Sequence, residues 1–274
     1  MAPFKTGRDE SRPYEAILIS LHHAILLFAA AFGAGILNAV AGGGTLLTFP
    51  ALISVGLDPK VANATSTIAL WPGLWGSMWG YRREIGASRQ YMVQMGIISL
   101  LGGLLGTVLL IKTPSPLFAR LVPFLILFAT FLFTLQEPVS RWLNFRANGG
   151  EEKRQGHWFA AVIIQFMAAT YGAYFGAGNG ILILSALGLL GISDIHIANG
   201  LKIFLALCLN IVAIVGFIIA GLISWRPAII MAIGALFGGY CGASVARRLS
   251  NRFVRGIVIL IGLTIGVLML FRMR

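Results

Sequence analysis

The sequence predicts an all-α polytopic membrane protein built from two inverted-topology repeats. Three observations lead to this fold class: few charged residues, a series of hydrophobic runs joined by short basic connections, and a pattern that recurs after 136 positions. Of the 274 residues, 58% are hydrophobic and 11% are charged, whereas a soluble domain carries about a quarter charged residues. A β-barrel would show alternating segments of about ten residues, and the sequence lacks them.

Most of the hydrophobic runs are long enough to cross a hydrocarbon core about 30 Å thick. Two of them, 45–56 and 181–192, have only about twelve residues, which is too short for a comfortable span. Each follows a glycine cluster, at 42–44 or 176–180. Each repeat is therefore predicted to hold about four spanning helices and one short broken or re-entrant helix. The runs are 16–40, 45–56, 62–81, 91–111, 117–135, 158–175, 181–192, 197–221, 227–246 and 254–271.

The net charge of +12 is concentrated in connections between the apolar runs, which is typical of orientation signals rather than of a nucleic-acid surface. The most basic connections, 82–90, 141–157 and 247–255, are therefore predicted to be cytoplasmic. The expected organisation is a polar N-terminal segment 1–15, membrane repeat 1 at 16–135, a cytoplasmic linker 136–157 and membrane repeat 2 at 158–272.

An internal repeat appears when the sequence is shifted by 136 positions. The shift superimposes Gly42 on Gly178, Gly44 on Gly180, Asp58 on Asp194, and Ala62-Asn63 on Ala198-Asn199. A cation-rich loop in one half corresponds to a cation-poor loop in the other, so equivalent loops are expected on opposite sides of the membrane. Inverted repeats with paired broken helices are characteristic of secondary transporters.

The two glycine clusters indicate an anion site. Backbone interrupted at membrane depth must face protein or a wet cavity, and the short helices that follow would direct N–H groups and positive dipole ends toward that cavity. The alternative role of glycine is close helix packing. That alternative fits Gly102-Gly103-Gly106 and Gly238-Gly239-Gly242 better.

Lys202 is the charged residue expected well inside a span of the second repeat, where a charge is costly and usually functional. No Asp or Glu is expected deep in a span, so the anion that Lys202 faces would be the substrate; the alternative is a snorkelling lysine. Asn210, two turns further along, would be a polar companion. Thr65 and Ser66 would donate hydroxyl hydrogen bonds at the equivalent depth of repeat 1, or else bond their own helix backbone.

Asp58 and Asp194 each precede a predicted span. Helix capping is favoured over proton coupling, because Pro59 follows Asp58 as it does at a first helical position. The motifs H-E-x-x-H, G-x-S-x-G and the P-loop are absent. No catalytic residue, metal ion or cofactor is therefore predicted, and the protein is expected not to be an enzyme.

The glycine-rich motifs resemble those of a known family. GILNAVAGGGTLLTFPAL at 35–52 and VANATS at 61–66 are similar to the first-repeat signature of the TauE/SafE sulfite exporter family, also called the toluenesulfonate uptake permease family. GAGNG at 176–180 and ANGLK at 198–202 resemble its second-repeat signature. The resemblance covers about 25–271. The second half has Ala186 where the first half has Pro50, so the two hairpins need not bend alike.

The resemblance implies a multi-pass permease of the bacterial inner membrane that moves sulfur-containing anions, usually outward. We therefore expect a secondary transporter that exports sulfite or organosulfonates by alternating access. An anion channel, an uptake permease for another small anion and a non-transporting membrane subunit are the alternatives. The expected partners are a small anion, the lipid bilayer and a coupling proton or ion, with no nucleic acid. The residues predicted to bind the anion are Asn38, Gly43, Gly44, Thr45, Asn63, Thr65, Ser66, Gly178, Asn179, Gly180, Asn199, Lys202 and Asn210.

Overall fold

A computed structural model of the chain describes residues 20–40, 43–80, 89–147, 158–192, 194–245 and 251–272. Within these ranges the regular structure is entirely α-helical. The helices are α1 (Leu21–Val40), α2 (Thr45–Ser54), α3 (Pro59–Gly80), α4 (Arg89–Lys112), α5 (Ser115–Ala147), α6 (Trp158–Tyr174), α7 (Asn179–Leu189), α8 (Ile195–Ile219), α9 (Trp225–Val245) and α10 (Asn251–Arg272). The prediction of an all-α protein is confirmed.

Several of these helices have the length and composition of membrane spans. Within the described residues, four contain windows long and apolar enough to cross a bilayer: Leu21–Asn38, Tyr91–Lys112, Ser115–Val139 and His196–Ile219. Their outward surfaces carry large apolar side chains, such as Leu101 at 56% exposure and Leu104 at 52%. Apolar surface of this extent fits lipid rather than water, so the chain is a polytopic membrane protein.

The two glycine-rich breaks are each followed by a short helix, as the sequence predicts. Helix α2 has 10 residues and α7 has 11. At about 1.5 Å per residue, each covers roughly half of a hydrocarbon core. Neither helix crosses the bilayer by itself, and both must meet protein at their inner ends.

The halves contain the same sequence of helices and pair in corresponding ways. A shift of 136 positions carries α1–α5 onto α6–α10. Helix α4 packs on α6 and α8 of the second half, and its counterpart α9 packs on α1 and α3 of the first half. The fourth helix of each half is therefore exchanged into the other half. The opposite membrane orientation of the halves stays a prediction.

Glycines make this exchanged packing close. A Cβ atom added at Gly102 on α4 would lie 2.6 Å from the carbonyl oxygen of Phe166 on α6. One added at Gly239 on α9 would lie 2.6 Å from the carbonyl oxygen of Gly73 on α3. The packing role predicted for these two glycine groups is confirmed, because the neighbouring backbones leave no room for a side chain.

Helix α5 continues beyond the predicted end of repeat 1. The apolar run stops at 135, but the helix extends to Ala147, well into the segment 136–157 that the sequence assigns to a linker. Polar and charged residues after 135 form a helix as readily as apolar ones, so the loss of hydrophobicity marks the end of a span rather than of a helix. The predicted N-terminal segment 1–15 lies outside the described residues, as do most residues of the predicted loops 82–90, 141–157 and 247–255, whose described ends at 89–90, 141–147 and 251–255 are helical.

We expect Gly239→Ala to lower the thermal unfolding midpoint of the purified protein, because the new methyl group would overlap the backbone of α3. Overpacking of this kind costs about 1–3 kcal/mol. Gly256→Ala on α10 is the matched control, since open space surrounds the position and alanine favours a helix by roughly 1 kcal/mol. Equal unfolding midpoints for the two variants would contradict the close approach of α9 to α3.

Candidate functional site

The first break lies between α1 and α2, and a side chain of α1 completes its hydrogen bonding. The Oδ1 atom of Asn38 accepts the Gly44 N–H at 2.8 Å. The Leu46 N–H turns back to the Gly43 carbonyl at 3.0 Å. A side chain at Gly43 would overlap the Phe133 ring of α5. Asn38 is therefore part of the break itself, and its side-chain amide nitrogen remains available to donate hydrogen bonds to other groups.

The second break, between α6 and α7, has a different backbone. Gly176 and Gly178 have φ angles of +85° and +76°, a left-handed conformation that glycine adopts without steric cost. The Tyr171 hydroxyl donates to the Ala177 carbonyl at 2.7 Å. At the start of α7, the Ile181 N–H donates to the Gly178 carbonyl at 3.1 Å. The two breaks are thus equivalent in position but not in shape, since Gly44 has φ −55°.

The breaks approach each other around a shared cavity. A methyl group added at Gly176 would lie 3.6 Å from the Thr45 hydroxyl oxygen, so the start of α2 faces the second break. The cavity has a volume of about 50 Å³ and lies between the breaks and the crossing of α3 and α8. It is lined by Asn38, Thr45, Thr67, Leu70, Leu74, Gly172, Gly176, Asn179, Gly180, Lys202, Ile203, Ala206 and Asn210.

The structure brings six of the predicted residues to this cavity: Asn38, Thr45, Asn179, Gly180, Lys202 and Asn210. Of the seven other lining residues, Gly176 belongs to the predicted glycine cluster at 176–180, and sequence reasoning missed the remaining six, which are Thr67, Leu70, Leu74, Gly172, Ile203 and Ala206. Thr67, Leu70 and Leu74 follow helical spacing (i, i+3, i+7) on α3, and Ile203 and Ala206 share the same spacing on α8 with the predicted Asn210. The same periodicity that selected Asn210 from Lys202 could have found them.

Lys202 is buried beside the cavity, with 2% of its surface exposed. Its Nζ atom donates to the Asn199 Oδ1 atom, one turn back on α8, at 2.9 Å. Within the described residues no carboxylate forms an ion pair with it. An ammonium group has three N–H donors, and a single amide partner uses one of them. The other two lie in a buried environment, where an unpaired charge is costly.

Lys60 provides a contrast, because it is also buried but its ammonium group has two backbone acceptors. Its Nζ atom donates to the carbonyl oxygens of Ile111 at 2.7 Å and Thr113 at 2.8 Å. These carbonyls lie at the C-terminal end of α4, where a cation complements the helix dipole. Lys60 therefore has a structural role at a helix end, whereas Lys202 has no such role.

The remaining predicted polar residues connect neighbouring elements and do not line the cavity. Asn63 donates its amide to the Tyr174 carbonyl at the end of α6 at 2.9 Å, while its Oδ1 atom has no partner. Thr65 accepts the Ser224 N–H ahead of α9 at 3.0 Å. Ser66 and Thr48 of α2 share a hydroxyl hydrogen bond of 2.5 Å. Gly43, Gly44 and Gly178 form the backbone of the breaks.

The two aspartates act as helix caps, as predicted. The Asp194 Oδ1 atom accepts the backbone N–H groups of His196 at 2.8 Å and Ile197 at 3.3 Å. The Asp58 carboxylate accepts the Lys60 N–H at 2.9 Å. Because the first N–H groups of a helix have no partner within the helix, both carboxylates have a structural explanation.

Removing the Asp194 cap should destabilise α8. We expect Asp194→Ala to lower the free energy of unfolding by about 1 kcal/mol, whereas Asp194→Asn retains a good N-cap and should stay near the native value. Thermal unfolding of both variants in the same detergent checks this. Equal losses of stability in the Asn and Ala variants would show that the carboxylate charge matters and not the cap.

Comparison with known proteins places the chain in a family. The model of the family described as Sulfite exporter TauE/SafE matches residues 27–269. A probable membrane transporter protein of Haemophilus influenzae is 27% identical over 86% of this chain and 89% of its own length. The probable membrane transporter protein YfcA of Escherichia coli K12 is 23% identical over 90% of this chain and 89% of its own length. No solved structure matches. The chain belongs to the TauE/SafE sulfite exporter family, and it is a multi-pass membrane transporter.

Proposed function

We propose that the protein is a secondary transporter of the bacterial inner membrane that exports small sulfur-containing anions such as sulfite or organosulfonates. The observation that carries the proposal is the buried Lys202 ammonium group with a single neutral partner. The cost of burying such a charge is offset when an anion binds beside it. The family and the transporter names of the relatives favour the same class of function.

The cavity lining supplies hydrogen-bond donors suited to a sulfonate or sulfite head. Asn38, Asn179 and Asn210 carry side-chain amides, and Thr45 carries a hydroxyl group. Within the described residues, the Gly180 N–H at the start of α7 has no acceptor. Donors around one cation form a compact oxyanion site, and charge-assisted hydrogen bonds are the stronger ones.

The arrangement of the halves suits alternating access. Each half provides one break and one of the two crossing helices that line the cavity. A relative movement of the halves would therefore open the cavity on one side while closing it on the other, with the anion held between them. A proton or another ion would be the coupling partner.

An anion channel or an uptake permease could use the same residues. Saturation of flux and exchange of labelled for unlabelled anion across proteoliposomes are properties of a carrier. A linear current that does not saturate is the property of a channel. A non-transporting subunit would show neither flux nor exchange.

We expect Lys202→Met to lower the kcat/KM of anion transport by about ten- to hundredfold. Hydrogen bonds to a charged group contribute about 1.5–3 kcal/mol, and methionine keeps the length of the side chain without its charge. The measurement is flux of sulfite, methanesulfonate and sulfoacetate in proteoliposomes, together with thermal unfolding. The variant should be at least as stable as the native protein, because a buried charge is removed without loss of volume.

Lys112→Met is the control, since Lys112 is exposed at the end of α4 and does not line the cavity. It should transport at the native rate. A Lys202→Met variant that transports as well as Lys112→Met would show that the ammonium group does not bind the anion. Absence of flux in the native protein with every anion would contradict the transporter proposal.

A further inference from the structure

Asn199 and Lys202 form a hydrogen-bonded pair within one helix. They lie three residues apart on α8, and side chains at this spacing share a helix face. The Lys202 Nζ atom donates to the Asn199 Oδ1 atom at 2.9 Å. Lys202 lines the cavity, whereas Asn199 does not. Asn199 thus contacts the ammonium group without being part of the cavity lining.

The partner of Lys202 is neutral, and the acidic residue nearest to it along the chain has another role. Asp194 is the single acidic residue between positions 158 and 274. Its carboxylate caps α8 by accepting the His196 and Ile197 N–H groups. It precedes Lys202 by eight residues, which is about 12 Å along a helix axis. Asn199 therefore holds the ammonium group without cancelling its charge.

The equivalent asparagine of the first half has no lysine to hold. Asn63 donates its amide to the Tyr174 carbonyl at 2.9 Å, and its Oδ1 atom has no partner among the described residues. Ser66 stands at the position equivalent to Lys202. The oxygen atom that is unpaired in Asn63 is therefore the one that accepts the ammonium group in Asn199. This contact belongs to the half that carries the charge.

The bond also attaches Lys202 to α8 alone. Lys60 connects α3 to the end of α4 through two carbonyl oxygens. Among the described residues, the hydrogen bond of Lys202 stays within its own helix. Asn199 thus fixes the ammonium group relative to α8 without fixing α8 to a neighbouring helix, as a site between two moving halves requires.

A charged partner in the place of Asn199 would have the opposite effect on the site. A carboxylate there would accept the same hydrogen bond and form a buried ion pair, so the empty protein would no longer contain an unpaired charge. An anion would then meet a pair without net charge, and the new carboxylate would repel it. The amide leaves the attraction of the ammonium group to the ligand.

We propose that Asn199 is a positioning residue, whose neutral amide oxygen holds the Lys202 ammonium group at the cavity and leaves its positive charge for the anion. This inference rests on the proposed function, because Lys202 is the residue through which Asn199 acts. It differs from the direct contact with the anion that the sequence predicts for Asn199.

Asn199→Asp and Asn199→Leu separate this role from a purely structural one. Aspartate keeps the size and the hydrogen bond of the side chain, whereas leucine keeps only the size. We expect Asn199→Asp to lower the kcat/KM of methanesulfonate transport in proteoliposomes by about a hundredfold, because the ammonium group is neutralised. Asn199→Leu should lower it by about three- to tenfold, because one hydrogen bond is lost.

Thermal unfolding of the anion-free variants should give the reverse order, with Asn199→Asp more stable than Asn199→Leu, because aspartate pairs with the buried lysine. A purely structural role would make aspartate the better replacement in both measurements. Gln94→Glu is the control, since it makes the same change from amide to carboxylate near the start of α4, where the side chain is exposed and does not line the cavity. It should transport at the native rate.

A double-mutant cycle tests whether Asn199 acts through Lys202. In the Lys202→Met background, Asn199→Leu should change kcat/KM by less than about twofold, since no ammonium group remains to be positioned. A further loss equal to that of the single Asn199→Leu variant would place Asn199 in direct contact with the anion and contradict the inference.

Transport by folded Asn199→Asp at or above the level of Asn199→Leu would also overturn it. If Asn199→Asp does not fold, a native rate in Asn199→Leu overturns it instead. These failures differ from failure of the proposed function. If the native protein transports methanesulfonate with dependence on Lys202 but not on Asn199, the function stands and the role of Asn199 is wrong. If the native protein transports no anion, both are wrong.

Discussion

The constraint on which this structure depends is that lipid cannot satisfy an interrupted backbone. Helices α2 and α7 each begin inside the bundle, so the polar groups at both breaks need partners from the protein. Asn38 supplies one for the Gly44 N–H, and the Tyr171 hydroxyl supplies one for the Ala177 carbonyl. The breaks are consequently held against α3, α5 and α8 at the centre of the molecule. The space left between them is the cavity.

The two halves contain the same arrangement of a break followed by a short helix, but the polar residues at equivalent positions differ. Ser66 and Lys202 are equivalent positions, 136 residues apart. The Ser66 hydroxyl bonds to Thr48 of the short helix α2, whereas the counterpart of Thr48 is Leu184, which offers Lys202 no side-chain partner. The first half therefore uses this position to fix its short helix, and the second half uses it to bring a charge to the cavity. The site is therefore chemically asymmetric, although the helices of the two halves pair in nearly the same way.

Much of the fold could be predicted from composition and spacing, but only part of the site. Gly42-Gly43-Gly44 and the short apolar run after it predict a broken helix, because no membrane span of that length is stable alone. The face of α3 that lines the cavity could not be predicted in this way, since a shift of one residue rotates the side-chain direction by about 100°. Thr65 therefore bonds to Ser224 ahead of α9, Ser66 bonds to Thr48 of α2, and Thr67, the next residue, lines the cavity. That rotation is set by packing against α8 and α9, which a single sequence does not encode locally.

The buried lysine defines the charge of the ligand that the site can hold. A cation in a fully polar cavity would be solvated by protein and water and would gain little from a ligand. Here Lys202 is buried and has one amide partner. Electrostatic attraction is stronger where water is excluded, so the burial of Lys202 increases the attraction between its ammonium group and an oxyanion. The burial that makes an unpaired Lys202 costly therefore also strengthens its binding of an anion.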